Sequence, residues 1–197
     1  MELRLPNLEQ LEMLYERDLR VSFPAAELKP LHIIRRMLDD GVYRPWCLFD
    51  GDKIIGECFL WLGEPGWALL DYLCVSPAYR NGGTGALILE KMQEKERGTV
   101  ILGESEEPRF APDPAMAERR LGFYDRNGAR IAGYDTEMFG VPYKTLYWSA
   151  EPLPDQQLME AHRTIYLRRF SPEKYAKYVR IPRQPDAAPL DKVAWNE

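Results

Sequence analysis

The sequence predicts an α/β fold on a mixed sheet, an antiparallel meander followed by a β-α-β crossover, and three observations predict it. Two apolar runs, residues 44–49 and 53–62, are joined by Asp50-Gly51-Asp52, the clearest hairpin signal in the chain. A third run, residues 67–75, follows the turn Gly63-Glu-Pro-Gly66, so three strands succeed one another through short loops. That run then leads through a glycine-rich turn into a helix and on to Thr99-Val-Ile-Leu-Gly103, which has to return parallel to it by a right-handed crossover.

The remaining elements fall in order around this centre. Residues 1–40 read as an opening strand or extended piece and then helices. Leu8, Leu11, Leu14, Tyr15 and Leu19 recur at helical spacing, and Leu31, Ile34, Met37 and Leu38 repeat the pattern after Pro30 until Gly41 stops it. Leu87, Ile88 and Met92 cluster on one face of a helix rich in strong helix formers. Residues 104–114 read as an irregular loop and residues 115–126 as a helix stopped by Asn127-Gly128. Two last strands, residues 129–138 and 144–148, flank Gly140-Val-Pro142. Beyond Pro152, residues 156–170 form a helix with Leu158, His162, Ile165, Tyr166 and Phe170 on or near one face, and residues 172–178 add another turn. The stretch from Arg180 to Pro189 is expected to be extended or poorly ordered. The chain thus divides into a domain at residues 1–150 and a C-terminal helical extension and tail at residues 151–197. The extension is expected to pack on the core, with a dimer contact or a substrate lid as the alternatives.

At 197 residues, with 45% hydrophobic residues and a net charge of −5, the composition is that of an ordinary soluble globular protein. An acidic chain without a basic run lacks the electrostatic footprint of a nucleic-acid binder, and the same sign of charge favours a cationic amine as partner. The N-terminus has no apolar core of signal-peptide length and no segment is long enough to span a bilayer, so no membrane partner and a cytoplasmic location are expected. Cys47, Cys58 and Cys74 all fall in strand-like runs without metal-ligand spacing, as expected of reduced, buried thiols, and no metal is expected. Cys74, in the central strand, is the one that could be catalytic. Composition leaves monomer and homodimer open.

The chemistry concentrates at Arg80, Asn81, Gly82, Gly83, Thr84 and Gly85, between the third strand and its helix. Glycines there let successive backbone N–H groups face one point, because no Cβ obstructs a close approach and positive φ carries no penalty. Those unpaired N–H groups, with the helix dipole, attract a phosphate. A tight capping turn is the alternative reading. A P-loop would need Lys and then Ser or Thr after the last glycine, where this chain has Ala86-Leu87, and a dinucleotide fingerprint would need a small residue where Ile88 stands.

Val75-Ser-Pro-Ala-Tyr-Arg80-Asn-Gly-Gly83-Thr-Gly85 resembles motif A of the GNAT superfamily, the acyl-CoA-dependent N-acetyltransferases. Phe123-Tyr124-Asp125-Arg126-Asn127-Gly128 resembles the family's second motif, an aromatic-Tyr helix end closed by a glycine turn. The resemblance covers roughly residues 3–150. It implies the GNAT fold with splayed central strands, acetyl-CoA as co-substrate and an amine acceptor. It assigns the coenzyme's pyrophosphate to the backbone from Asn81 to Gly85, with Arg80 either adding a charge-assisted contact or remaining a solvated loop residue. It also assigns pantetheine and the thioester oxygen to backbone groups of Leu73, Cys74 and Val75. The helical pair near the N-terminus would wall the acceptor pocket and bring Phe23, Pro24 and His32 near it, although a surface or packing role suits His32 and His162 better. Three places depart from the family pattern: Ala117 and Arg120 stand where pantetheine-contacting Asn and Ala are usual, and Gly128-Ala129 replaces Gly-Phe.

An alkylamine has a pKa near ~10 and arrives protonated, so it needs a base. Asp71 and Glu104 are the candidates. Asp71 should alternate onto the face of Leu73 and Val75, and a carboxylate in an apolar strand needs a partner such as Arg119 or Arg120 if it is only structural. Glu104 ends the parallel neighbour, where open α/β sheets place their ligands, and Glu106 shares its side if the strand continues. Tyr124 is the candidate acid for the departing thiolate, since a phenol can give up a proton there without large tuning, and its position matches the family's general-acid tyrosine. The expected function is therefore transfer of an acetyl group to a primary amine of a small molecule by direct attack. A protein or peptide N-terminus as acceptor, or a non-catalytic acyl-CoA-binding module, are the alternatives.

Overall fold

The computed structural model describes residues 1–188 and 190–195. Eight strands form one mixed sheet in the order β1-β2-β3-β4-β5-β7-β6-β8. These are β1 (Glu2–Arg4), β2 (Tyr43–Asp50), β3 (Lys53–Leu62), β4 (Trp67–Val75), β5 (Val100–Glu106), β6 (Arg130–Met138), β7 (Val141–Trp148) and β8 (Val179–Arg183). Among the described residues only β4 and β5 pair in parallel, because helix α4 (Thr84–Lys95) carries the chain back across the sheet between them. The hairpin at β2–β3 closes tightly, with Asp50 opposite Lys53 and Gly51 at φ 59°.

Helices cover both faces. On one lie α1 (Leu8–Leu14), continued through a π-helical turn at Tyr15–Leu19 into the short α2 (Arg20–Ser22), then α3 (Leu31–Asp39) and, after the sheet, α6 (Asp155–Leu167) and α7 (Pro172–Tyr178). Their buried residues Leu14, Leu19, Ile34, Met37, Leu158 and Ile165 pack with Phe59, Leu69, Tyr72 and Cys74 of the sheet. On the other face lie α4 and α5 (Pro114–Arg126), where Ile88, Leu89 and Met92 pack on Ile55, Cys58, Leu60 and Leu70. Asn7 caps α1 in a reciprocal capping box with Gln10, and Asp113 caps α5 through the Met116 N–H.

The contact of α4 with β3 depends on Gly56. A Cβ there would lie 2.7 Å from Ile88 Cδ1 and 2.8 Å from Cys74 O. Gly56→Ala is therefore expected to cost about 1–3 kcal/mol, read as a melting temperature lower by several degrees. An unchanged melting temperature would contradict this packing.

The expected sheet and helices are present; β7 begins at Val141, three residues before the expected start, and three further differences stand out. β5 runs on through Glu104, Ser105 and Glu106, so the first three residues expected in a loop are strand. The terminal stretch is not simply extended, for β8 adds an eighth strand by pairing with β6; Pro189 lies outside the described residues. The third difference is a β-bulge. Phe59 pairs with Tyr72 and Leu60 with Leu70, which leaves Asp71 as the extra residue of β4.

Candidate active site

Pairing between β4 and β5 stops at Leu70 opposite Gly103, although β4 continues to Val75 and β5 to Glu106. The two strands part beyond that point, and a cavity of about 570 Å³ opens between them. The Ser76 N–H bonds Ile55 O and Cys74 stands opposite Glu57, so the alternation of an antiparallel ladder commits Cys74's backbone to β3. Leu73 and Val75 then turn their N–H and C=O groups to the split. Of the three backbone positions expected to face the ligand, Cys74 is the one the register removes. Val75 O is already bonded by Arg80 Nε at 2.9 Å, and Arg80 also reaches Ser22 Oγ at 3.3 Å, so Arg80 ties the loop to the strand end.

At the mouth of the split the glycine turn has the expected geometry. Asn81 (φ 62°) and Gly83 (φ 81°) are left-handed, and Gly83 is the N-cap of α4 without a side-chain cap bond. The Leu87 N–H bonds back to Gly83 O at 3.1 Å, so the N–H groups before it have no helical acceptor. Nothing lies within 4 Å of where a Gly83 Cβ would point, which leaves room for a phosphate. Gly85 serves a different purpose: a Cβ there would come 3.2 Å from Phe123 Cζ, so this glycine lets α4 approach α5.

Asp71 does not share a face with Leu73 and Val75, because the bulge at Asp71 breaks the alternation. It turns instead to the side of Tyr72, where Lys29 Nζ donates to it at 2.6 Å and the Tyr43 hydroxyl bonds its other oxygen. The partner is a lysine rather than Arg119 or Arg120, with side chains 2% and 8% exposed. Lys29 also lies 3.9 Å from the ring centroid of Trp195. Asp71 is thus occupied as half of a buried ion pair. Glu104 lines the cavity and accepts from His162 Nε2 at 2.8 Å and from Tyr166 at 3.1 Å. Glu106, also in the lining, pairs with Arg120 at 2.8 Å.

Glu27, on the loop between α2 and α3, is a carboxylate that sequence reasoning missed. Burial first, and the nearby Glu106 second, push its pKa up to about 7, while a hydrogen bond with Tyr143 and the charge of Arg120 oppose the shift. Tyr72 holds that loop against β4, donating to Glu27 O at 3.0 Å and accepting from the Lys29 N–H at 2.7 Å. Of the three residues expected near the acceptor pocket, Phe23 lines the cavity, whereas Pro24 and His32 are exposed and are not among its lining residues.

Tyr124 enters the cavity from α5, on the other face of the sheet, between Phe123 and Trp148. Burial raises its pKa above the ordinary phenol range, with Arg120 opposing, so it keeps its proton at neutral pH. All three cysteines are free and buried. Burial foremost, then Glu57, raises Cys74 to about 11, which leaves it a thiol rather than a nucleophilic thiolate.

The sequence that carries the glycine turn and Tyr124 matches a family model. Residues 42–128 match the acetyltransferase (GNAT) domain. They form a GNAT acetyltransferase domain. This GNAT segment runs from the start of β2 to the end of α5 and includes the glycine turn and Tyr124. Solved structures extend the likeness of fold over most of the chain. An acetyltransferase from the GNAT family of Bacteroides thetaiotaomicron is 23% identical, with a TM-score of 0.69 over 83% of this chain and 95% of that one. An aminoglycoside 6'-N-acetyltransferase complexed with coenzyme A is 16% identical, with a TM-score of 0.59 over 79% and 100%. The ribosomal-protein-S18-alanine N-acetyltransferase of Escherichia coli is 16% identical, with a TM-score of 0.54 over 77% and 97%. No curated protein matches the chain. Among the described residues no helix is long and apolar enough to cross a membrane, and no group of three His, Cys, Asp or Glu could hold a metal ion.

His162, Tyr166 and Trp195 line or adjoin the cavity from beyond residue 150, and Glu27 and Lys29 from before residue 42. The sequence signals were an imidazole and a phenol on the apolar face of α6, and for Glu27 and Lys29 their place between the N-terminal helices that the resemblance puts at the acceptor pocket.

Proposed function

We propose that this GNAT domain moves the acetyl group of acetyl-CoA to the primary amine of a small cationic molecule, the nitrogen attacking the thioester directly. The observation that carries this reading is the split between β4 and β5. Its mouth is a turn whose N–H groups before Leu87 have no helical acceptor, with open space beside Gly83, which fits a diphosphate. Its walls carry carboxylates on one face and a protonated phenol on the other. Acetyl-CoA supplies the activated acetyl group, and the chain's own residues bind, orient and move protons.

The backbone at residues 81–85 would hold the diphosphate. A N–H of Leu73 or Val75 would meet the thioester oxygen as charge develops there. Glu104 would take the ammonium proton, directly or through a water, and Tyr124 would give its proton to the departing sulfur. Glu27 and Glu106 would draw the cationic acceptor to the carboxylate face. The buried walls contributed by Lys29, Tyr166 and Trp195 suit a small acceptor better than a protein chain. On this reading α6 and Trp195 are part of the acceptor pocket.

A second assignment of the base is favoured by one observation: Glu27 ionises near pH 7, where a general base works best. Thiol release from acetyl-CoA with a panel of amines tests the function, and binding without turnover on any amine would reject it. Tyr124→Phe is expected to lower kcat by about 10²-fold with little change in coenzyme affinity. Wild-type turnover across the pH range would remove Tyr124 from the reaction.

A further inference from the structure

Glu104 is held by groups that lie outside the matched GNAT segment. His162 is completely buried on α6, its Nε2 2.8 Å from Glu104 Oε1 and its Nδ1 3.3 Å from the Tyr134 hydroxyl. Tyr166, one turn further along the same helix, reaches Glu104 Oε2 at 3.1 Å. An ionised carboxylate only accepts, so Nε2 carries the imidazole hydrogen and Nδ1 accepts from the Tyr134 O–H. Tyr134, on β6, thereby fixes the tautomer that donates to Glu104.

Packing alone does not call for these side chains. Leu158 and Ile165 flank His162 and are themselves fully buried, and an aliphatic residue at position 162 would fill the same face without the cost of burying an imidazole. That cost is offset by the bond to Glu104, so the reason for a histidine here lies in what it does to that carboxylate. The polar groups that face His162 are Glu104 from β5, Tyr134 from β6 and Tyr166 from its own helix. With two donors on it, Glu104 is tied to α6 at the wall of the cavity.

We propose that His162 and Tyr166 are positioning residues for Glu104, so that helix α6, beyond the matched domain, is a working part of the active site. The inference rests on the reading of Glu104 as the proton acceptor. His162→Leu keeps the volume and removes the donor. It is expected to lower kcat 10- to 100-fold while leaving acetyl-CoA affinity and the KM for the amine unchanged, because a carboxylate that loses its donor is misplaced for the proton it takes and not for binding. His162→Gln, whose amide N–H can reach as Nε2 does, is expected to restore most of the rate. Tyr166→Phe, which deletes one hydroxyl, is expected to give a smaller loss in the same direction and decides the matter if His162→Leu does not fold.

A folded His162→Leu, or Tyr166→Phe, with the wild-type kcat would overturn the inference. Glu104→Gln separates the two levels. If it keeps wild-type turnover, the assignment of the base fails and the positioning role goes with it. If it loses turnover while His162→Leu and Tyr166→Phe do not, only the positioning role fails.

Discussion

Gly83→Glu is expected to weaken coenzyme A binding by about 100-fold or more while the chain stays folded. Gly83 sits at φ 81°, where an L-residue costs roughly 1–2 kcal/mol, so a modest fall in melting temperature accompanies the change. The new side chain meets nothing within 4 Å at its Cβ, so it has space to project over the turn. There its carboxylate would stand where a diphosphate has to bind and would compete for the same N–H groups. A loss of 100-fold corresponds to about 2.7 kcal/mol, more than the backbone strain alone supplies. Gly83→Ala carries the strain without the charge and is expected to lose far less affinity. Calorimetry with coenzyme A measures both; equal and undiminished affinities would mean that the turn does not hold the ligand.

The second large effect is expected at the base. Glu104→Gln should lower kcat by about 10²- to 10⁴-fold without changing coenzyme affinity, because the amide keeps the shape and cannot take a proton. Glu27→Gln should act on acceptor affinity instead. Glu27 titrates near pH 7, so its charge is largely absent at pH 6 and present at pH 8. The KM for a cationic acceptor should fall across that range in the wild type, and the variant should flatten the fall. Should Glu27→Gln abolish kcat while Glu104→Gln does not, the roles are reversed. Stability has the opposite sign: folded Glu27 retains its proton up to about pH 7 and the unfolded chain only to about 4.5, so its contribution is lost as pH rises through that window.

The parts of this molecule that local pattern governs were legible in the sequence. The Asp50-Gly51-Asp52 turn between apolar runs fixes a hairpin by backbone geometry alone, and a strand, a glycine turn and an amphipathic helix in succession leave one right-handed way back to the sheet. The left-handed Asn81 and Gly83 are likewise properties of a few neighbouring residues.

Relations between distant residues were not legible. The bulge at Asp71 exists only in the register of β4 against β3, and it turns a carboxylate that strict alternation would aim at one face toward the other, onto Lys29. Glu27 looked like any loop glutamate; its perturbation comes from burial beside Glu106, far along the chain. His162 meets Glu104 across 58 positions, and the imidazole on an apolar helix face was compatible with packing until its partner was known. β8 was hidden by Pro182 and its arginines, which weaken the alternation of a strand at the sheet edge.

A crystal structure with acetyl-CoA bound tests the central claim most directly. The account predicts the diphosphate on the N–H groups at residues 81–85, the thioester between β4 and β5 beside Leu73 and Val75, and Glu104 and Tyr124 on opposite sides of the acetyl group. A coenzyme bound elsewhere, with the glycine turn empty and the split closed by the protein's own side chains, would contradict it.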